Sequence, residues 1–580
     1  MNIIKNILIL YVSLCTISLV IAVPAKRDIR KRAEINTNFF QPLTPQPATT
    51  QPTIREYDFR LYKATLSPDG VPRTVYTVNG QFPGPIIQAN VGDQIIMNIT
   101  NQLGEPTAIH SHGIVQNGTN WFDGVPGITQ CPIPNGGNFI YNYTVDVPGT
   151  YWYHSHYIAQ YVDGVHGPLI VQDPADPHLS LYDYEYVVTF QEWYHNTTED
   201  LLHIKMSANH TGDSPIPDSV VMSGIGQYNC SSANGFNGLS CNSSVTPPTY
   251  VVQSGKRYRF RIINTSADNH FYFSIDNHTM LLIEADGINI KPVTIQKLPI
   301  NIAQRYSVII NASQPVGNYF IRASATTACQ VLNNVTINID HLESLNWNAT
   351  GILHYEGANN SAPTSQEWPD TSEPTCDDVP DASLVPFVAN PPPQNVSQQF
   401  TFNLTFNGAN QSSPSIFLVN NSSFSPNFIS PTIMQLSSGV STQSLAANQN
   451  VYAYDNTTGG VELIFINANG GTHPFHLHGH SFYIVGKGGN GTSPDPSTYN
   501  LVNPPLRDTA TISSRGWMTI RYYADNPGIW LLHCHIEWHV EMGMVVQLVE
   551  RYTEFRQRTI PSSVKNLCQS SSSSTTSTTS

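Results

Sequence analysis

Short runs rich in Val, Ile, Tyr, Phe and Thr, broken every few residues by Gly, Pro or Asn, pattern this chain from end to end. No long stretch carries the 3.6-residue apolar period of an amphipathic helix, so the pattern predicts an all-β protein. A repeat lies within it. Gly149-Thr-Tyr-Trp-Tyr-His154-Ser-His156 has counterparts in Gly317-Asn-Tyr-Phe-Ile-Arg322-Ala-Ser324 and Gly528-Ile-Trp-Leu-Leu-His533-Cys-His535, with the same spacing from the glycine each time. A second set of apolar segments, opening at Gly92, Gly255 and Gly460, precedes the three copies. Three homologous β units are therefore expected, over residues 55–173, 174–356 and 398–568. Residues 357–397, rich in Pro, Ser and Asn, are expected to be a plain linker. The middle unit has Arg322 and Ser324 where its neighbours have histidines, so it is expected to have kept the fold and lost a metal. Units one and three are expected to meet face to face around a shared site.

The whole-chain numbers narrow the class. A length of 580 residues exceeds what one core supports. Hydrophobic residues at 40% and aromatics at 10% are ample for burial, while charged residues, at 12%, are sparse for a protein in water. N-x-S/T acceptors, about twenty in all and including Asn98, Asn117, Asn142, Asn196, Asn264, Asn334 and Asn403, are expected to carry glycans that supply surface polarity. The N-terminal apolar run after Lys5 reads as a signal peptide (1–22), and the basic pairs up to Arg32 as the end of a propeptide (23–32). A secreted, extracellular protein follows. No later segment is apolar and long enough to span a bilayer, and the Ser/Thr-rich tail, 569–580, lacks the hydrophobic end of a lipid-anchor signal. The net charge of -14 argues against nucleic acid as a partner.

Of eight cysteines, Cys15 leaves with the signal, and six others suit disulfides in an oxidising compartment. Cys230 and Cys241 close a short loop and are expected to pair. Cys329 with Cys376, and Cys131 with Cys568, are the preferred remaining pairs, although sequence alone permits every other pairing. That leaves Cys534, within His533-Cys534-His535-Ile536-Glu537-Trp538-His539. On a strand, successive side chains point to opposite faces, so His533 and His535 project one way and Cys534 the other, toward His539 beyond the strand end. One strand then serves two metal centres. Two histidines and a thiolate with a weak axial group form a blue-copper ligand set, whereas cysteine-based zinc sites usually use C-x2-4-C pairs, which are missing here. His110-Ser-His112, His154-Ser-His156 and His473-Pro-Phe-His476-Leu-His478 complete a set holding ten of the twenty histidines. Neutral imidazole is the commonest biological ligand for copper and zinc.

These motifs, HSHG at 110–113, HSH at 154–156, HPFHLHGH at 473–480 and HCHIEWHVEMGM at 533–544, resemble those of the multicopper oxidases and, within them, the fungal laccases, over residues 55–568. The resemblance implies three consecutive cupredoxin-like Greek-key β-barrel domains and four copper ions. His473, Cys534 and His539 would bind a type 1 copper, with Met544 in the axial position. His110 and His476 would hold a type 2 ion, and His112, His154, His156, His478, His533 and His535 a type 3 pair. Asp123 matches the family's acid near type 2 copper. Asp218 matches the laccase carboxylate that takes a phenolic proton beside His539.

The resemblance implies oxidation of phenols or aromatic amines, one electron at a time, coupled to reduction of O2 to water; a monomer acting on small molecules, without nucleic acid or membrane, is expected. Met544 stands where many laccases have Leu or Phe, and a thioether there is expected to lower the type 1 potential. The rival within the fold is an iron oxidase, with which HCHIEWH and Gln191-Glu192-Trp193-Tyr194 also agree. Iron oxidation needs acids beside type 1 copper, but Asn469 and Ser214 occupy two such positions, with Asp213 only a neighbour. Ascorbate or bilirubin oxidation is a further alternative. A non-catalytic copper carrier would have no use for eight additional histidines.

Overall fold

The computed structural model describes residues 33–43, 51–208, 214–232, 241–326, 346–369, 375–410, 412–455 and 459–574. Strands come in three pairs of sheets along the chain, with six and four, seven and five, and six and five strands. The smaller sheet of each pair repeats one arrangement. Gly149–Ser155, Asn318–Ala325 and Gly528–Cys534 each lie antiparallel between two neighbours: His166–Gln172 and Ile109–His112 in the first unit, Asn348–Tyr355 and Phe271–Ile275 in the second, Val545–Glu550 and His473–Leu477 in the third. The repeat seen in the sequence is thus one topological position used three times. The segments opening at Gly92, Gly255 and Gly460 supply the equivalent interior strands Gln94–Gln102, Arg257–Asn264 and Gly460–Asn467 of the larger sheets.

Arg322 shows what replaced the ligands in the second unit. Its guanidinium grips Asp276 through two hydrogen bonds of 2.9 and 2.8 Å, so a charge pair occupies a place where the flanking units have imidazoles. Units one and three share a core, in which Ile109, Tyr141 and Tyr153 of the first join Ile433, Ile529, Leu531 and Val549 of the third. That common core makes their facing sheet ends a single rigid platform. The disulfide Cys131–Cys568 ties the C-terminal helix Ser562–Ser574 to the first unit, and Cys230–Cys241 closes its short loop. The third expected pair involves Cys329, which lies outside the described residues.

Two expectations change. The connector is packed rather than free among its described residues. Asp378 accepts hydrogen bonds from Asn301 and Gln304 of the second unit and from Thr511 of the third, and pairs with Lys487, while Val379 and Leu384 enter the second core. Asn264 is buried, and its amide donates to the carbonyls of Asn269 and Ile300; a glycan there would break those bonds and has no room. Asn117, Asn196 and Asn403 are exposed, and Asn334 lies outside the described residues. Among the described residues, no helix is long and apolar enough to cross a membrane.

Candidate metal centres

The strand Gly528–Cys534 ends at its thiol, and the short helix Glu537–Glu541 turns the chain back so that His539 faces it. Cys534 Sγ lies 3.5 Å from His539 Nδ1 and 3.7 Å from Nδ1 of His473, the first residue of the strand opposite, and the two Nδ1 atoms are 3.2 Å apart. Met544 is fully buried in the same cluster, and its carbonyl accepts from the Cys534 amide at 3.2 Å. Cys534 is the one free cysteine among the described residues. Burial pushes its thiol well above the usual range and His473 down to about 3. A buried thiol aimed at two neutral imidazoles is stabilised as thiolate only by a cation, and the donor set is that of copper.

The other histidines gather on the opposite side of the same strand. His112, His154 and His535 form one group, His156, His478 and His533 a second, and His110 and His476 converge beside His112; within each group the ligand atoms lie within 4.8 Å of one another. Nε2 of His110, His154, His156 and His476, Nδ1 of His112 and both ring nitrogens of His535 are buried without hydrogen-bond partners. Buried polar atoms are rarely left so. Four of the rings are anchored through Nδ1. His110 Nδ1 donates to the carbonyl of Asp123 (2.7 Å), His154 to Ser155 (3.0 Å), His476 to Asp508 (2.8 Å) and His533 to Cys534 (2.8 Å). Such anchors fix the tautomer that presents a lone pair to a metal. Burial, reinforced by the neighbouring rings, holds His112, His154, His156, His476, His478 and His535 well below the ordinary imidazole value, and burial brings His533 to about 4. Eight imidazoles aimed at one small volume, seven of them held neutral by burial, suit a cluster of metal ions.

Asp123 is part of this assembly. Its carboxylate accepts from His478 Nδ1 at 2.9 Å while its carbonyl takes His110, so one fully buried residue of the first unit touches a histidine of each outer unit. The next residue must be glycine: at Gly124, with φ +84°, a Cβ would lie 1.9 Å from the carbonyl oxygen of Ile109. Asp508, which sequence reasoning missed, occupies the other side, with an oxygen 3.4 Å from His112 Nε2 and 3.6 Å from His476 Nδ1. Nothing in its local sequence, Leu-Arg-Asp-Thr, marks it; its place depends on how the units assemble.

Asp218 lies against His195. It accepts from the backbone amide of His195 at 2.7 Å and lies 3.6 Å from that imidazole, whose Nε2 meets the buried Asp69 at 2.8 Å. Burial raises its carboxyl above the ordinary value. Burial, with His473 and Lys205 nearby, holds His539 well below the ordinary imidazole value. Lys205 and Glu192, both buried, and the half-buried Asp268 of the second unit form a polar patch here; of these only Glu192 lies in a segment singled out by the sequence. Glu192 accepts from the amides of Ala267 and Asp268, Ser214 bonds to Asp268, and the Ala267 carbonyl accepts from Glu537 at the start of the His539 helix. Asn469 bonds within its own turn, and Asp213 lies outside the described residues.

Family models described as multicopper oxidase match residues 61–176, 184–358 and 409–554. Laccase-5 of Trametes villosa is 38% identical over 509 residues, covering 84% of this chain and 88% of that protein. Laccase-2 of Botryotinia fuckeliana is 36% identical over 531 residues, covering 89% and 84%. Among solved structures, the laccase from Botrytis aclada superimposes with a TM-score of 0.81 at 34% identity, covering 92% of this chain and 94% of that one. Fet3p, a multicopper oxidase that functions in iron import, gives 0.78 at 31% identity, covering 90% and 95%.

Proposed function

The chain belongs to the multicopper oxidase family as a laccase-type enzyme that uses copper, and from that premise we propose that it is a secreted, monomeric laccase holding four coppers and oxidising phenols or aromatic amines at the expense of O2. His473, Cys534 and His539 would hold the type 1 ion, with Met544 buried in the same cluster. His110 and His476 would hold type 2. His112, His154 and His535 on one side, and His156, His478 and His533 on the other, would hold the type 3 pair. When bound, copper supplies one-electron uptake from the donor and four-electron delivery to O2. The observation that carries this reading is the strand end where Cys534 faces one centre and its neighbours His533 and His535 face the two halves of another.

The remaining roles belong to the protein's own groups. Asp218, part-exposed and with its carboxyl raised, accepts the proton that a phenol loses with its electron. Asp123 holds His110 and His478 in place and is the acid through which protons reach the site of O2 reduction. Buried hydrophobic walls around the histidines exclude other donors from that site.

Iron oxidation is the second reading, favoured by the likeness to Fet3p and by the acids Glu192 and Asp268 near Ser214. Against it stand Asn469 and the cation Lys205 near His539. Steady-state rates with 2,6-dimethoxyphenol, Fe(II) and ascorbate, for the native enzyme and Asp218→Asn, separate them. The laccase reading expects the phenol to be preferred and selectively impaired by the substitution; preference for Fe(II), unmoved by it, supports the iron oxidase.

A further inference from the structure

Arg305 opens the strand Arg305–Asn311 in the second unit, the one without metal ligands, yet its side chain ends at the histidine cluster, fully buried. Its Nε donates to the carbonyl of Thr150 at 3.0 Å, on the first-unit strand that carries His154. Its Nη1 donates to Asp508 Oδ1 at 2.7 Å and to the carbonyl of Ala303 at 3.1 Å, and Nη2 grips the second oxygen of Asp508 in the third unit. One guanidinium thus joins all three units. Asp286 backs the arrangement by accepting from the Arg305 amide at 2.9 Å and from Arg507 Nε at 2.7 Å.

The carboxylate so held lies behind two candidate ligands. His112 and His476 are stacked with ring centroids 3.7 Å apart and planes 17° apart. Asp508 takes His476 Nδ1 on its carbonyl at 2.8 Å, and its Oδ1 receives the hydroxyl of Thr509 at 2.9 Å. That hydroxyl is itself 3.3 Å from His112 Nε2 and 3.2 Å from His476 Nδ1. The opposite nitrogens of both rings are the unpartnered ones aimed at the metal volume. Gly113 gives an independent sign that this space is reserved. At φ +88°, a Cβ there would stand 2.5 Å from the Tyr151 ring, 2.8 Å from Arg305 Nη2 and 2.9 Å from Asp508 Oδ2, so the glycine closing the first histidine motif leaves room for the ion pair and the ring beside it.

We propose that Arg305 is a positioning residue for the type 2 centre: from the copper-free unit it clamps Asp508, and through Asp508 and Thr509 it fixes the orientation of His476 and His112. A lysine cannot reproduce this, because it lacks the planar fork that bonds both carboxylate oxygens while donating elsewhere. The second unit then completes the metal site without binding metal. The inference rests on the copper assignment proposed above.

The test uses the copper-loaded enzyme with Arg305→Lys and, as a near-isosteric partner, Asp508→Asn. It follows the type 2 electron paramagnetic resonance signal during chelator titration, with the type 1 blue band recorded in parallel. In both variants the chelator concentration that removes half of the type 2 signal is expected to fall about 10- to 100-fold, the usual cost of losing a group behind a metal ligand, while the blue band persists. An unchanged type 2 titration in a blue variant overturns the proposal, as does loss of both signals in step, or absence of the blue band from both variants. A native enzyme lacking any type 2 signal would sink the copper reading itself, and that shows before any substitution is made.

Discussion

His533 Nδ1 donates to the carbonyl of Cys534 at 2.8 Å, so a histidine of the cluster is anchored on the very residue whose thiol faces the other centre. The pair joins the centres by one peptide unit and one hydrogen bond, and the strand is further pinned by the Cys534 amide on Met544 and the His535 amide on Pro474, at 3.2 and 2.6 Å. Electrons leaving a copper-bound thiolate would have a short bonded path to His533 and His535.

Cys534→Ser should break that path and leave the histidine cluster intact. The hydroxyl is too poor a ligand to keep the blue band. Oxidase activity should fall to background while the type 2 signal and the stoichiometry of the remaining coppers survive, since the other eight histidines do not touch Sγ. Copper analysis with visible spectroscopy checks this, and a blue, active serine variant would contradict it.

Asp123→Asn keeps the carbonyl that holds His110 but exchanges the carboxylate that receives His478 for an amide. Turnover with any donor should drop about 10- to 100-fold, with donor KM and the blue band unchanged, because the donor binds at the other centre. An altered KM with normal turnover would place Asp123 elsewhere in the mechanism.

Met544→Leu should raise the type 1 potential. A thioether stabilises the oxidised ion more than a hydrocarbon does, and Met544 is fully buried in the cluster of Cys534. A redox titration should place the native couple at the low end for laccases and the variant above it; a variant at or below the native value would remove Met544 from the ligand set.

Asp218 carries a pH signature. Burial raises its carboxyl above the ordinary carboxylate value, and a general base works only when ionised. Phenol oxidation should therefore gain rate as pH rises through that raised pKa and lose it as pH falls below. In Asp218→Asn this acidic limb should vanish, and kcat/KM for phenols should drop about 10²- to 10⁴-fold, with a donor that loses no proton little affected. Equal losses for both donors would show that Asp218 supports the fold through His195 rather than accepting a proton.

Cys568→Ser removes a bridge spanning 437 residues between the C-terminal helix and the first unit. Closing so long a loop restricts the unfolded chain, and its loss should cost about 2–5 kcal/mol. Denaturant unfolding followed by the blue band should show the midpoint shift at unchanged room-temperature activity.

The gathering of the candidate ligands was legible in the sequence because they sit on strand ends at fixed parity: alternation alone assigns Cys534 to one face and His533 and His535 to the other, and the glycine-to-histidine spacing exposes the repeat. The grouping of the six outer histidines into two trios was not legible, since it depends on how two sheets from distant units face each other. Asp508, Arg305 and Gly113 escaped for the same reason, as their partners are about 200 to 400 residues away in sequence and no local pattern marks them. The connector misled through its composition. Its prolines and serines read as a free linker, yet Asp378 satisfies donors from two units at once. Asn264 misled likewise, because an acceptor motif says nothing of burial.

The most direct test of the central claim is a paired measurement of oxygen uptake and donor oxidation with 2,6-dimethoxyphenol under limiting O2. The arrangement of one electron-accepting centre and an eight-histidine cluster predicts four donor electrons consumed for each O2 and no hydrogen peroxide released. Two electrons per O2 with stoichiometric peroxide, or phenol oxidation without oxygen uptake, would contradict it.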